Sequence, residues 1–325
     1  MIVAVMVWLA LVPAASAAQR RPGFYHLGVG SGPAVTDGKR YVAFPLDDSS
    51  VAFYDFGVRS PSERVLRAPP CVDSGGYSYP SLLDGVGDGE VLWYCEIFLE
   101  GPLLEDVDTG HVAHIPLPPP SLIGESGGGF GGAVGSSWIR EWMEDHGLSY
   151  PAYYKRATGA WRPEPKSARR YGDLDDPALA HTLCRPLRRS LRPSQESDQI
   201  AVAYEPYFFE RPYGVTTEAR DNGIAHERIT VERCGSHKRS IIGRCPLFCA
   251  DVQFSAGLVT WANGPGLRAY APRTGARYTW PPSAIPSSDP SARWFGHTRQ
   301  RLIVSAPSLA DIRKWDIFAA RMPKG

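Results

Sequence analysis

The stretch Cys249–Pro282, CADVQFSAGLVTWANGPGLRAYAPRTGARYTWPP, reads as four short strands joined by three tight turns. Val252 and Phe254 alternate with polar neighbours up to Ser255-Ala256-Gly257. Leu258 to Trp261 is then a β-branched and aromatic run that stops at Asn263-Gly264-Pro265-Gly266. Leu267 to Tyr270, the turn Arg273-Thr274-Gly275 and Tyr278 to Trp280 follow, and Pro281-Pro282 closes the set. Period-two alternation punctuated by Gly and Pro specifies a β-meander, because side chains on a strand point to alternate faces and Gly supplies the backbone angles of tight turns.

The second strand of this meander has counterparts along the chain. Short apolar runs after a polar or Gly turn place Val42, Leu92, Ile139, Ala201, Val259 and Ile303 at equivalent positions, at steps of 44 to 62 residues. A second register agrees: a Thr-Gly turn precedes a strand ending in Pro at Asp108-Thr109-Gly110, Ala157-Thr158-Gly159 and Arg273-Thr274-Gly275, with Asp221-Asn222-Gly223 filling the gap in the fourth unit. Four-stranded units repeated at this period are the signature of radial stacking, which leaves only short protected sheet edges. The expected fold is all-β, a six-bladed β-propeller of four-stranded antiparallel blades, with five or seven blades or a pair of β-sandwiches as alternatives. The unit from Val35 to Leu66, with Asp37-Gly38-Lys39-Arg40-Tyr41-Val42-Ala43-Phe44, resembles the Asp-Gly-Lys repeats of TolB-type propellers, and the resemblance implies a secreted propeller repeat protein.

A chain of 325 residues is compatible with one closed β domain, and 33 Gly and 30 Pro fit a protein built of hairpins. A net charge of +1 excludes a broad electrostatic footprint for nucleic acid or an anionic membrane surface. Residues 1–17 read as a signal peptide, with an apolar core from Ile2 to Val12, a helix-breaking Pro13 and the small-residue site Ala15-Ser16-Ala17. That core is too short to span a bilayer. Residues 18–325 form the expected single propeller domain, and the mature chain is expected to be a monomer, secreted or held at the cell envelope.

Six cysteines behind an export signal imply disulfides. Proximity pairs Cys71 with Cys95 and Cys234 with Cys245, leaving Cys184 for Cys249. Cys234, His237, Cys245 and Cys249 have the residue types of a tetrahedral zinc site, but the oxidising compartment favours disulfides, so no metal or other cofactor is expected. Gly124-Glu125-Ser126-Gly127-Gly128 matches a nucleophile elbow by letters, yet Pro118 to Pro120 before it and more Gly after it supply neither the strand nor the helix that the elbow needs. Asp108-Thr109-Gly110 spells an aspartic protease triplet, but its counterparts lack the carboxylate, which makes it a hairpin turn.

One segment is irregular. From about 166 to 197 the repeat lengthens, Asp176-Pro177 opens a short expected helix to Cys184, and Arg185, Arg188, Arg189 and Arg192 cluster after it as a candidate anion or partner surface. Candidate carboxylates near strand ends are Asp84, Glu205 and Asp251, with Asp175 from the insertion. The aromatics Tyr207, Phe208, Phe209 and Tyr213 would suit an interface. The expected function is that of an exported, non-catalytic binding or scaffold protein recognising an extracellular protein or polysaccharide. The alternative is a carbohydrate-active hydrolase or lyase working through the four carboxylates.

Overall fold

The structure is a computed structural model that describes residues 23–72, 75–95, 101–119, 132–145, 148–163, 204–210, 212–220, 226–234, 236, 239–245, 250–255, 257–263, 266–286 and 294–322. Apart from two short 3-10 turns, the regular elements among the described residues are all strands. Strand β1 (Phe24–Gly30) precedes a first sheet of β2 (Val35–Thr36), β3 (Tyr41–Asp47), β4 (Ser50–Asp55) and β5 (Glu63–Arg67). A two-stranded hairpin, β6 (Cys71–Val72) and β7 (Ser78–Tyr79), leads to the second sheet: β8 (Ser81–Gly87), β9 (Glu90–Cys95), β10 (Leu103–Asp106) and β11 (Val112–His114). The third comprises β12 (Ala133–Val134), β13 (Trp138–Asp145), β14 (Leu148–Lys155) and β15 (Ala160–Pro163), and the fourth β16 (Tyr204–Glu210), β17 (Tyr213–Arg220), β18 (His226–Arg233) and β19 (Arg239–Cys245). The meander between Cys249 and Pro282 is the fifth: β20 (Ala250–Ser255), β21 (Leu258–Asn263), β22 (Gly266–Tyr270) and β23 (Arg277–Trp280). The sixth holds β24 (Trp294–His297), β25 (Arg301–Pro307) and β26 (Trp315–Arg321), and its fourth strand is β1, paired antiparallel to β26 from Phe24↔Ala320 to Gly30↔Trp315.

Each sheet is a meander, and the sheets stack side by side. Alternate residues of one strand serve different neighbours: on β3, Ala43 joins the cluster shared with the second sheet, while Val42 and Phe44 join the cluster shared with the sixth. On β9, Val91 and Trp93 face the first sheet and Leu92 the third. On β21, Leu258 faces the sixth and Val259 and Trp261 the fourth. On β25, Leu302 and Val304 face the fifth and Ile303 the first. Strands buried on both faces read as continuous apolar runs, which is why Tyr41-Val42-Ala43-Phe44 and Leu302-Ile303-Val304 show no polar alternation.

The first strands of successive sheets touch one another: β24 meets β2, β2 meets β8, β8 meets β12, β16 meets β20 and β20 meets β24. Gly85 approaches the Gly132 carbonyl and Gly87 that of Val134, so β8 and β12 run in the same direction. Gly296 lies against Thr36, and the Arg299 amide donates to the Lys39 carbonyl at 2.8 Å, giving β24 and β2 the same relation. Four-stranded sheets packed face to face in series, with their first strands innermost, make a β-propeller, and the sheet completed by β1 joins the start of the described chain to its end. The sandwich alternative fails because the first, second, fifth and sixth sheets each meet different sheets on their two faces.

The turn reading holds at three positions. Gly110, Gly159 and Gly275 have φ of +69°, +59° and +74°, the left-handed region that glycine enters without steric penalty. The Gly110 amide donates to the Asp106 carbonyl and that of Gly275 to Ala271, both at 2.8 Å. The Asp108 carboxylate accepts from the Arg64 guanidinium at 2.6 Å. This triplet is a turn.

In the fourth sheet the expected register is wrong. Its second strand is β17, with Val215 fully buried in the place held elsewhere by Val42 and Val259, so Ala201 is not the equivalent position. Asp221-Asn222-Gly223 falls between β17 and β18, the second and third strands, and so is not the last turn. The insertion lengthened the repeat enough to lend another apolar run, Ile200 to Ala203, the strand's role. The expected signal peptide, the Gly-rich stretch at 124–132 as far as Gly131, and the arginine-rich segment lie outside the described residues.

Candidate functional site

Asp84 is the candidate carboxylate whose surroundings the structure describes most fully. Strand β8 breaks register between Leu83 and Gly85, so Asp84 is the extra residue of a β-bulge, a device that redirects one side chain out of the ladder. It points across to the third sheet, where its Oδ2 accepts the Gly132 amide at 2.9 Å. The contact needs a bare backbone: a Cβ on Gly132 would stand 2.3 Å from that oxygen and 2.3 Å from Leu92 Cδ2. Asp84 is 8% exposed and anchors one sheet to the next.

The same irregularity recurs on two other first strands. Strand β16 loses register after Glu205, which pairs with Thr217, and regains it at Phe208. Strand β20 does so between Ala250 and Gln253, a gap that contains Asp251. The innermost strands of the second, fourth and fifth sheets therefore each carry an acidic residue at or beside a bulge. Asp175, Arg185, Arg188, Arg189 and Arg192 lie outside the described residues. Tyr207, Phe208 and Phe209 fall on the innermost strand β16, and Tyr213, on β17, packs half-buried against the cluster of Val215 and Trp261.

Two other buried ionisable groups serve packing. Burial holds the His297 imidazole down at about 4, against a weak contact from its Nδ1 to the Thr298 carbonyl oxygen at 3.4 Å, so the ring is neutral at pH 7. Burial pushes the Glu105 carboxyl up, opposed by the Trp93 indole N–H that it accepts at 2.9 Å.

The two ends of the ring differ in character. Each first strand begins at one end, here the entry end, where the turns between second and third strands and the connections between sheets also lie. Turns from first to second and from third to fourth strands lie at the exit end. The entry end exposes Ile312 (87%), Leu309 (81%), Tyr77 (68%) and Trp294 (56%), together with Tyr79 and Leu82. Leu309 and Ile312 sit in the β25–β26 turn, Trp294 opens β24, and Tyr77 and Tyr79 ride on the β6–β7 hairpin. That hairpin is tied down by the disulfide Cys71–Cys95, with Cα atoms 5.7 Å apart, which matches the expected pairing. Among the described residues, the large exposed apolar side chains in the exit-end turns and strand starts are Tyr25 and Val58, beside charged turns such as that of Asp37, whose Oδ1 accepts the amides of Lys39, Arg40 and Tyr41.

Sequence reasoning missed these entry-end residues. The available signal was Gly75-Gly76-Tyr77-Ser78-Tyr79-Pro80, aromatics set in a Gly/Pro context between two units, where a strand interior has no use for them.

The expected pairing of Cys234 with Cys245 is overturned. Cys245 stands opposite Glu227 in the β18–β19 ladder, while Cys234 lies beyond the Glu232↔Arg239 pair at the other end of the same hairpin. At ~3.3 Å per residue the two are on the order of 20 Å apart, against the 7 Å or less that a disulfide spans. Both sulfurs are nonetheless in disulfides, which also removes them as zinc ligands, and no metal-binding cluster occurs among the described residues. Cys184, His237 and Cys249 lie outside the described residues.

No protein-family model and no curated protein matches this chain. Among solved structures, it is similar to TolB from Acinetobacter baumannii, at 11% identity and a TM-score of 0.38, covering 89% of this chain and 65% of that one. It is similar to the Cps50 (Swd1) β-propeller domain of Myceliophteria thermophila, at 11% identity and a TM-score of 0.44 over 91% and 98% of the two chains. It is also similar to an oligogalacturonate lyase from Vibrio parahaemolyticus, at 8% identity and a TM-score of 0.44 over 92% and 91%. Among the described residues no helix is long and apolar enough to cross a membrane.

Proposed function

We propose that this chain is an exported, non-catalytic binding protein, a six-bladed propeller that recognises an extracellular protein through its entry end. One observation carries the reading: the large exposed apolar side chains gather there, on turns held by packed sheets, and interface anchors are characteristically aromatic groups on a rigid frame. Leu82, Leu309 and Ile312 among the aromatics favour a protein partner over a polysaccharide, because sugar faces stack on flat rings and leave aliphatic side chains unsatisfied. The Cys71–Cys95 bond supports an oxidising compartment. The propeller needs no cofactor for this role, and the mature chain would act as a monomer.

The test compares capture of envelope and extracellular proteins of the source by immobilised mature chain and by surface variants. Trp294→Asp and Tyr77→Asp should each weaken capture of one specific protein by about thirty-fold or more, the effect of losing a central anchor. Val58→Asp should not. Loss through Val58→Asp with the entry-end variants unaffected would overturn the reading, and retention of a glycan sensitive to Trp294→Asp would transfer it to a polysaccharide.

A second reading, a carbohydrate-active hydrolase or lyase, is favoured by one thing: acidic residues at the bulges of three innermost strands, Asp84, Glu205 and Asp251. Asp84 already holds a backbone amide, so the reacting pair would be Glu205 and Asp251. Turnover on a glycan panel that vanishes in Glu205→Gln supports this reading, and absence of turnover in the native chain removes it.

A further inference from the structure

Two cysteines of known position have partners that the hairpin register restricts to two others. Cys71 is bonded to Cys95. Cys234 and Cys245 are each in a disulfide, and they stand at opposite ends of β18–β19, so each must take one of Cys184 and Cys249.

The ends decide which. Cys245 Sγ lies 3.9 Å from the Ala262 carbonyl oxygen, and Ala262 pairs across the fifth sheet with Ala250, the residue joined to Cys249. Cys245 and the start of β20 therefore share the entry end. The Cys234 amide donates to the Pro212 carbonyl at 2.8 Å, in the turn that follows β16, at the exit end. Strands β16 and β20 are neighbouring first strands, so a strand's length separates Cys234 from the start of β20. A Cys234–Cys249 bond would have to cross that length.

We infer that the disulfides are Cys245–Cys249 and Cys184–Cys234. The second bond is within reach of the chain that carries Cys184. The strands on either side of it, β15 ending at Pro163 and β16 starting at Tyr204, place both of its anchors at the entry end, whereas Cys234 is at the exit end. From Pro163 to Cys184 an extended chain reaches roughly 70 Å, several times the height of a sheet. Each bond forms by loss of two thiol protons and two electrons to an oxidised dithiol acting through thiol–disulfide exchange.

Peptide mapping of the native chain without reduction tests the pairing, because trypsin separates the two arrangements. Cleavage after Arg170, Arg188, Arg233, Lys238, Arg244 and Arg268 is expected to release peptide 171–188 linked to 234–238, and peptide 245–268 closed on itself with two hydrogens fewer than its reduced mass. A single species joining 171–188, 234–238 and 245–268 would overturn the inference, since every other pairing of the four sulfurs yields it. Cys184→Ser supplies a second measurement: the one thiol it frees should map to Cys234, and a thiol at Cys245 or Cys249 refutes the assignment.

Discussion

Removing the Cys71–Cys95 bond gives the most quantitative test of how the entry-end hairpin is held. The bond spans a sequence separation of 24 residues, and both cysteines are buried, so Cys71→Ala with Cys95→Ala removes the cross-link without placing new polar groups in the cluster around Trp93. In the chain-entropy model a closed loop of about 25 residues corresponds to ~3.5 kcal/mol of stability, contributed by restricting the unfolded chain. With an unfolding entropy near 2.1 cal/mol/K per residue over roughly 300 residues, that loss lowers Tm by about 6 °C. Urea unfolding followed by Trp fluorescence should show the midpoint falling in the double variant, and calorimetry the matching shift in Tm. Reductant should lower the midpoint of the native chain further than that of the variant, which has lost Cys71–Cys95 but keeps the disulfides of Cys234 and Cys245. A variant as stable as the native chain, while the native chain remains sensitive to reductant, would refute the assignment of this stability to Cys71–Cys95.

Gly132→Ala sets a methyl group against Asp84 and Leu92, and should cost about 1–3 kcal/mol of stability, read as a lower urea midpoint. An unchanged midpoint would show that the second and third sheets do not meet this closely. His297, neutral in the fold and titrating at about 4 there, binds its proton more readily when unfolded, near 6.5. Its contribution is complete above about pH 6.5 and is lost as pH falls toward 4, by about 3 kcal/mol. The His297 ring resonance should remain in the neutral position down to about pH 5, and titration near 6.5 would contradict its burial.

The fifth sheet was legible residue by residue, since Gly257, Gly275 and Pro281 mark its limits and strand alternation is a local property. Val42, Leu92, Ile139, Val259 and Ile303 were legible for a related reason: a strand between two neighbours is apolar on both faces, and such a run stands out without any tertiary information. Val215 escaped because the long insertion broke the period on which the equivalence relied. Ala201, the wrong choice, lies in a run of the right composition. Only the folded ring shows that β1 completes the sixth sheet with β26, a pairing between residues almost the whole chain apart that no local pattern encodes. Only the ladder register separates Cys234 from Cys245, close in sequence and a strand's length apart in space. Turn chemistry and side-chain period are written into neighbouring residues, so the sequence determined the strands and hairpins. Which strand ends meet depends on how the sheets close around their axis, and that was decided by the tertiary structure.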